Sequence, residues 1–164
     1  MMLMKKPKAG LFILLSVLMI LGGCKHSELN FFEKNTAIPN YKWDYQFKAT
    51  GRFEIKDSIS PYNIYIVLRH TDAYKYNNIW LNIGLQSPGD SMYFQKVELS
   101  LGSDAGGWEG TGLNDIWETR KLLVKRPRKF IKAGIYHYSI AQIMRDNPLE
   151  HIMSAGIRLQ KTVQ

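Results

Sequence analysis

The side chains that most often perform catalysis or bind metals are few in this 164-residue chain and widely spaced. It has four histidines and one cysteine. The histidines show none of the spacings typical of zinc sites, and the sequence lacks Gly-x-Ser-x-Gly, His-Glu-x-x-His and a glycine-rich phosphate loop. Only a pair of carboxylates that converge in the fold, as glycosidases use, is left open. We therefore expect no enzyme activity, no catalytic residues, no metal and no other cofactor. The histidines are His26, His70, His137 and His151.

The cysteine, Cys24, follows a lysine-rich start and an uncharged stretch, AGLFILLSVLMILGG, of 15 residues (9–23). A basic segment, an apolar segment and then small residues are typical of a secretory signal. Such a stretch is shorter than the ~20 residues that a membrane-spanning helix needs. The sequence LGGC (21–24) resembles the lipobox of bacterial lipoproteins, in which the cysteine sulfur takes a diacylglycerol and becomes the first mature residue. We predict a lipoprotein signal peptide at 1–23 and lipid attachment at Cys24, against the alternative of an ordinary signal with an incidental cysteine.

A lipid on Cys24 would decide where the protein works. Each buried methylene stabilises attachment by about 0.8 kcal/mol, so two or three acyl chains hold durably where one holds only marginally. We therefore predict a domain tethered to a membrane outside the cytoplasm, a location that argues against nucleic acid as a partner. Lys25 follows the cysteine, and by resemblance to lipoprotein sorting this favours the outer membrane, on its periplasmic face.

Alternating apolar and polar residues dominate the rest of the chain. Every second residue is apolar in YNIYIVLR (62–69) and NIWLNIGL (78–85), and Val97, Leu99 and Leu101 alternate in the same way in YFQKVELSL (93–101). This pattern predicts half-buried strands. Five further strands are predicted at 43–47, 51–56, 115–124, 134–144 and 153–161. Seven or eight short strands predict an all-β fold, an antiparallel β-sandwich resembling a jelly roll.

The sequence also predicts the limits of the domain. Residues 24–40 mix polar and aromatic side chains without a period and contain Pro39, so we predict a lipid-anchored tether that lies against the domain through its phenylalanines. The β-sandwich domain is then 41–164. One turn of helix is predicted at 148–152, because Pro148 suits the first position of a helix and Asn147 suits its cap.

The stretch RHTDAYKYNNIW (69–80) joins two predicted strands and combines Arg69, Tyr76, Asn78 and Trp80. Aromatic rings can stack on a sugar while amide and guanidinium groups bond its hydroxyls, so these residues are candidates for a glycan-binding surface. The pattern favours another interpretation, in which Tyr76 and Trp80 fill the second side of a two-faced core.

Two further stretches contribute one candidate residue each. In GGWEGTGLNDIWE (106–118), Trp108 lies among glycines, which predicts either a ring that packs down and fixes the loop or a ligand-binding loop. In QIMRDNPLEHIMSAGIRL (142–159), Arg145 leaves a strand, and we expect its guanidinium to pair with Asp115 or Glu118.

Basic residues are concentrated in one run. Without the signal lysines, 19 Lys and Arg stand against 14 Asp and Glu, a net charge of +5. Seven of these cations lie in RKLLVKRPRKFIK (120–132), which contains no acid. Such a run can form a solvated strand edge that discourages edge pairing, attract an acidic partner, or contact anionic headgroups through a salt-screened attraction. The sequence leaves these three alternatives open.

Several stretches together with Cys24 carry a family resemblance. They are IPNYKW (38–43), RHTDAYKYNNIWLNI (69–83), GGWEGTGLNDIWE (106–118) and AGIYHYSIAQIMRDNPLEHIMSAGIRLQK (133–161). The chain resembles the gliding motility lipoprotein GldH family of Bacteroidetes. The resemblance implies a lipoprotein of the gliding machinery, which is tied to type IX secretion, with other envelope proteins as partners. Cys24 is the one residue whose role carries over, as the lipid attachment site.

Two functions from different classes therefore remain. The leading one is a non-catalytic, protein-binding lipoprotein of the gliding and secretion machinery, and the alternative is a surface or periplasmic carbohydrate-binding lipoprotein. A sugar binder should expose a coplanar pair of aromatic rings in a groove, so the exposure of Tyr76, Trp80, Trp108 and Trp117 discriminates between them.

Overall fold

Antiparallel strands organise the chain, whose computed structural model describes residues 31–162. No α-helix occurs in that range, and so none of its elements is a helix able to cross a membrane. A single 3₁₀ turn spans Pro39–Tyr41. The strands are β1 (Phe31–Ala37), β2 (Lys42–Trp43), β3 (Ala49–Ile55), β4 (Pro61–Thr71), β5 (Asn78–Gln86), β6 (Tyr93–Ser100), β7 (Gly102–Ser103), β8 (Gly107–Trp108), β9 (Thr111–Leu113), β10 (Ile116–Leu122), β11 (Arg128–Lys129), β12 (Gly134–Gln142), β13 (Leu149–Glu150) and β14 (Ile152–Lys161).

Two antiparallel sheets face each other. The larger has the order β1-β14-β4-β10-β9, with β11 continuing the ladder along β4, and the smaller has the order β3-β12-β5-β6. Two short ladders, β13 with β2 and β7 with β8, lie in the connections. The predicted all-β antiparallel sandwich is confirmed, since seven of the eight predicted strands correspond to long strands of these sheets.

The alternation places one face of each long strand in the core. Ile66 and Leu68 of β4 are buried, as are Ile79 and Leu81 of β5. Burial of apolar area stabilises by about 25 cal/mol per Å², and the described chain is without a disulfide, so this packing carries the stability. At one end of the core lies an aromatic cluster in which the rings are 4.8–5.6 Å apart, made of Phe53, Phe130 and Tyr136.

The folded domain begins earlier than the predicted tether allows. The tether was expected at 24–40, but β1 pairs with β14 along its whole length, from Phe31 opposite Gln160 to Ala37 opposite Ser154. The Phe32 ring packs 5.9 Å from that of Phe53, as expected for a segment lying against the domain. The predicted signal peptide, Cys24 and the remainder of the tether lie outside the described residues.

Charged side chains on the outer face hold β1 in place. Glu33 accepts a hydrogen bond from Arg158 of β14 at 2.9 Å, and both side chains are only 18% exposed. Partial burial opposes ionisation of Glu33, but the hydrogen bonds from Arg158 and Asn35 and the charge of Arg120 prevail, so its pKa lies below its ordinary value. This edge strand is therefore fixed by charge on one face and by Phe32 on the other.

Two local predictions are wrong. The expected helical turn at 148–152 is instead strand β13, in which Leu149 pairs with Trp43. The physical reason is burial: Leu149 is 2% exposed beside the fully buried Trp43, which outweighs the local preference of Pro148 for a helix start. The strand expected at 43–47 ends after Trp43, because a turn follows in which the Phe47 amide bonds the Asp44 carbonyl at 3.1 Å.

Substitution of Gly156 in β14 tests whether β1 is paired with β14 in the folded domain. A Cβ there would collide with the Lys34 carbonyl oxygen and the Asn35 side-chain oxygen, and would lie 2.7 Å from the Asn35 Cα. We expect Gly156→Ala to destabilise the domain by about 1–3 kcal/mol and to increase hydrogen exchange in β1. Denaturant unfolding and exchange mass spectrometry measure both.

The matched control is Gly84→Ala in the smaller sheet. The three atoms nearest to its new methyl group belong to the side chains of Met92 and Phe94, which can move aside, whereas Gly156→Ala meets backbone. Unchanged exchange in β1 upon Gly156→Ala would contradict the pairing described above.

Candidate functional site

An open cleft of about 630 Å³ lies at one end of the sandwich. Its walls are the β4–β5 connection, residues 73–76, and the segment 145–151 between β12 and β14. The first segment follows β4 and the second follows β12. Both strands finish at the same end of the sandwich, because β4 pairs with β14 and β5 pairs with β12. The cleft therefore results from the strand topology.

Hydrogen bonds join the two walls. The Tyr76 hydroxyl donates to the Asp146 carboxylate at 2.7 Å, and the Lys75 ammonium lies 3.5 Å from the same oxygen. The Tyr76 hydrogen bond and then the charge of Lys75 lower the pKa of Asp146. The Asp146 carboxylate is consequently ionised at neutral pH and ties both loops together.

The floor of the cleft is aromatic and buried. Tyr74 is 4% exposed, and its hydroxyl donates to the Asn78 carbonyl at 3.0 Å. Burial raises the pKa of the Tyr74 hydroxyl. Behind it, the Trp108 ring packs edge-on against His70, with centroids 4.6 Å apart. Trp108 thus fixes the glycine-containing loop to the core, which is the first of the two roles expected for it.

Arg145 stands at the wall of the cleft with an exposed side chain. Among residues 31–162 its guanidinium has no hydrogen-bond or ion-pair partner. The expected pairing with Asp115 or Glu118 is wrong, because Glu118 on β10 lies opposite Arg69 and bonds it at 2.6 Å. A guanidinium free in this way can bind a carboxylate through two parallel hydrogen bonds.

The backbone that carries Arg145 is well supported. The Tyr45 hydroxyl donates to the Met144 carbonyl at 2.6 Å and lies 3.1 Å from the carbonyl of Arg145. The Tyr45 amide donates to the Asn147 side-chain oxygen at 2.8 Å. Hydrogen bonds with Tyr45 therefore hold the backbone from which the free Arg145 side chain projects.

The six candidate residues do not form one site. Tyr76 and Arg145 line the cleft, and Trp108 packs beside it. Arg69 lies on the outer face of the larger sheet. Asn78 and Trp80 lie on the outer face of the smaller sheet, where the Asn78 amide donates to Glu98 at 2.7 Å.

Trp80 is not a core residue. Its side chain is 40% exposed, so the interpretation that it fills a second side of the core is wrong for Trp80. Tyr76 is half-buried and packs against the core, with its ring 5.9 Å from that of Tyr74. Within residues 31–162, the Trp80 ring is in none of the ring-to-ring contacts.

Sequence reasoning missed the polar residues that shape the cleft. Lys75, Asp146 and Asn147 converge there from segments about 70 residues apart, and the turn sequence RDNP was their only local signal. No three His, Cys, Asp or Glu side chains in the described range are grouped to hold a metal ion.

Comparison with known proteins identifies the family. Residues 30–159 match the family model described as GldH lipoprotein. The chain belongs to the GldH lipoprotein family. This membership confirms the resemblance noted in the sequence and makes the protein a membrane-anchored lipoprotein.

Two relatives of this GldH family member align over most of its length. The gliding motility lipoprotein GldH homolog of Christiangramia forsetii is 26% identical over 158 residues, covering 92% of this chain and 94% of the relative. The gliding motility lipoprotein GldH of Flavobacterium johnsoniae is 27% identical over 141 residues, covering 79% and 87%.

Among solved structures, the VP2 subviral particle of infectious bursal disease virus aligns with a TM-score of 0.31 and 12% identity. The alignment covers 82% of this chain and one third (33%) of the viral chain. It is too weak to carry any argument.

His70 below the cleft generates a pH prediction. It is fully buried; its Nδ1–H donates to the Thr71 carbonyl at 2.9 Å, and its Nε2 has no partner among the described residues. Burial lowers the pKa of His70 and outweighs the Thr71 bond. Below the unfolded pKa of about 6.5 the unfolded chain binds more protons, so stability falls as the pH falls, by at most about 1.4 kcal/mol per pH unit.

We expect His70→Phe to flatten this dependence between about pH 7 and pH 5, measured by denaturant unfolding at a series of pH values. His137→Gln, at an exposed position on the smaller sheet, is the control for the removal of a histidine as such. An equal slope in the wild type and His70→Phe would show that His70 does not contribute.

Proposed function

We propose that this protein is a lipid-anchored component of the gliding motility and type IX secretion machinery that acts by binding another envelope protein and not by catalysis. The role is supported by the family match over residues 30–159 and by relatives named gliding motility lipoproteins. The mode of action is supported by one observation above all, the unpaired Arg145 on the wall of an open cleft.

The anchor is the first part of the proposal. Lipid on Cys24 attaches the protein to the periplasmic face of the outer membrane. Cys24 lies seven residues before the first described strand, Phe31–Ala37, so the domain remains within reach of the bilayer. The apolar stretch before Cys24 and its small residues support this assignment.

Cys24→Ala tests the anchor. Without the sulfur no diacylglycerol can be attached, and we expect an unlipidated precursor that retains its signal peptide. Mass spectrometry of the N-terminal peptide from wild-type and variant protein decides the matter. A wild-type mature chain that begins at another residue and lacks lipid would exclude the assignment.

The cleft is the second part of the proposal. Its walls carry Arg145 and Lys75, and Lys75 is already engaged by Asp146, so Arg145 is the cation available to a partner. We propose that a carboxylate on a segment of an envelope protein binds Arg145 while the segment packs between the walls. Shape and one charged contact would give such a cleft its selectivity.

Arg145→Glu tests the cleft. Hydrogen bonds to a charged group contribute about 1.5–3 kcal/mol, so we expect partner binding to weaken by about tenfold or more, with loss of gliding or secretion at unchanged protein level. Affinity purification from cross-linked envelopes and a motility or secretion assay measure the two effects.

Arg52→Glu is the matched control, because Arg52 is an exposed arginine on the smaller sheet, away from the cleft. If Arg145→Glu retained full activity and partner binding, the cleft would not be the docking site.

A further inference from the structure

The end of the sandwich opposite the cleft, here called the basic end, consists of the loops 56–60, 87–92 and 123–133 with residues 161–162. Strand register places these segments together. Lys129 lies opposite Pro61, and Gly134 lies opposite Ile55. Phe31 lies opposite Gln160, next to the last residue of β14. The first described residue of the chain is therefore at the basic end.

Charge is strongly asymmetric along the sandwich. The basic end carries seven Lys and Arg against two acids, Asp57 and Asp90. Both acids are engaged, by Lys161 at 2.6 Å and Lys132 at 2.9 Å. Five exposed cations then have no ion-pair partner within residues 31–162: Lys56, Lys125, Arg126, Arg128 and Lys129.

The opposite end has the reverse balance. Its segments 38–48, 72–77, 101–115 and 143–151 carry seven acids against four Lys and Arg. One end of the domain is therefore attracted to an anionic surface while the other is repelled by it.

Two isoleucines project from the basic end. Ile131 is 95% exposed and Ile59 is 78% exposed. Phe130, next to Ile131, is buried in the aromatic cluster, and Lys132 is held by Asp90. The loop tip is thus fixed from both sides with its isoleucine turned outward between cations.

The proposed lipid attachment site is close in sequence to the basic end. Cys24 precedes Phe31 by seven residues, which span no more than about 25 Å when fully extended. With lipid on Cys24, the basic end is the part of the domain that is tethered closest to the membrane surface.

We propose that the basic end rests on the membrane that holds the anchor, with the five cations on anionic phospholipid headgroups and Ile131 and Ile59 in the interfacial layer. This inference rests on the lipid anchor of the proposed function. Basic residues with a few apolar side chains are the composition that binds an anionic bilayer surface. The charged contacts add to the acyl anchor and fix the orientation of the domain.

A membrane is favoured over an acidic protein by the position of the run. An acidic partner would account for the cations, but not for their location at the end from which the tether leaves, nor for two isolated isoleucines beside them. In the proposed orientation the cleft lies about 35 Å from the bilayer, which is the length of the eleven-residue strand β4.

The experiment uses the full-length lipidated protein with Ile131→Cys, labelled with an environment-sensitive fluorophore. Acylated Cys24 does not react, so residue 131 is the single free thiol. The protein is reconstituted in vesicles of phosphatidylcholine containing about a third phosphatidylglycerol, or in phosphatidylcholine alone. Lipids with a quencher in the acyl chain report insertion.

The matched control is Leu113→Cys, at another apolar and exposed residue (76%), which lies in segment 101–115 at the opposite end of the sandwich. We expect quenching and a blue shift at residue 131 in anionic vesicles. Both should be lost when Lys125, Arg126, Arg128 and Lys129 are replaced by Glu, and reduced by salt. The probe at residue 113 should respond in neither vesicle.

Mass spectrometry of the same preparation separates the possible failures. If Cys24 carries lipid and the probe at residue 131 is quenched no more than that at 113, the proposed orientation is overturned. If the charge-reversed protein then loses an envelope partner, the run docks a protein and not the bilayer. If Cys24 carries no lipid, the anchor of the proposed function and this inference fall together.

Discussion

The pairing of β4 with β14 and β10 is the interaction on which the rest of the structure depends. Strand β4 has eleven residues, is central in the larger sheet and contributes buried isoleucine and leucine side chains to the core. Its first residues pair with the basic strand β11, and its last residue leads into the wall of the cleft. The two ends of the molecule are therefore held at a fixed distance by one strand.

The alternation of apolar residues was sufficient to predict most of the sandwich, because half-buried strands leave that pattern in the sequence. It failed at β1 for a physical reason. Lys34, between Phe32 and Thr36, is exposed, so the inner face of this edge strand shows no apolar repeat. The contacts that fix β1 are with distant parts of the chain. Glu33, for example, bonds Arg158, which lies 125 residues away, and such a contact leaves no local pattern.

The candidate site could likewise be predicted only in part from local sequence patterns. Tyr76 and Arg145 were singled out by residue type, but their convergence depends on the tertiary contact of Tyr76 with Asp146. Local rules also predicted helix at 148–152, where the burial of Leu149 beside Trp43 imposes a strand instead. Ion pairing was equally unpredictable, since Glu118 is opposite Arg69 only through the register of β10. Sequence thus indicated which residues could bind, and tertiary packing decided which of them meet.

Anchoring and docking cooperate if both proposals hold. A domain held to a membrane only through its lipid could adopt many orientations, and a partner would have to select the one that presents the cleft, which costs rotational entropy. Contact of the basic end with headgroups removes much of that freedom before the partner arrives, without touching the cleft. The acids around the cleft then serve a second purpose, because they are repelled by the same anionic surface. The guanidinium of Arg145 lies near these acids but is unpaired, so a carboxylate of a partner can still bind it. The selectivity of the cleft would then depend mainly on this one residue, at the end of the domain that faces away from the membrane.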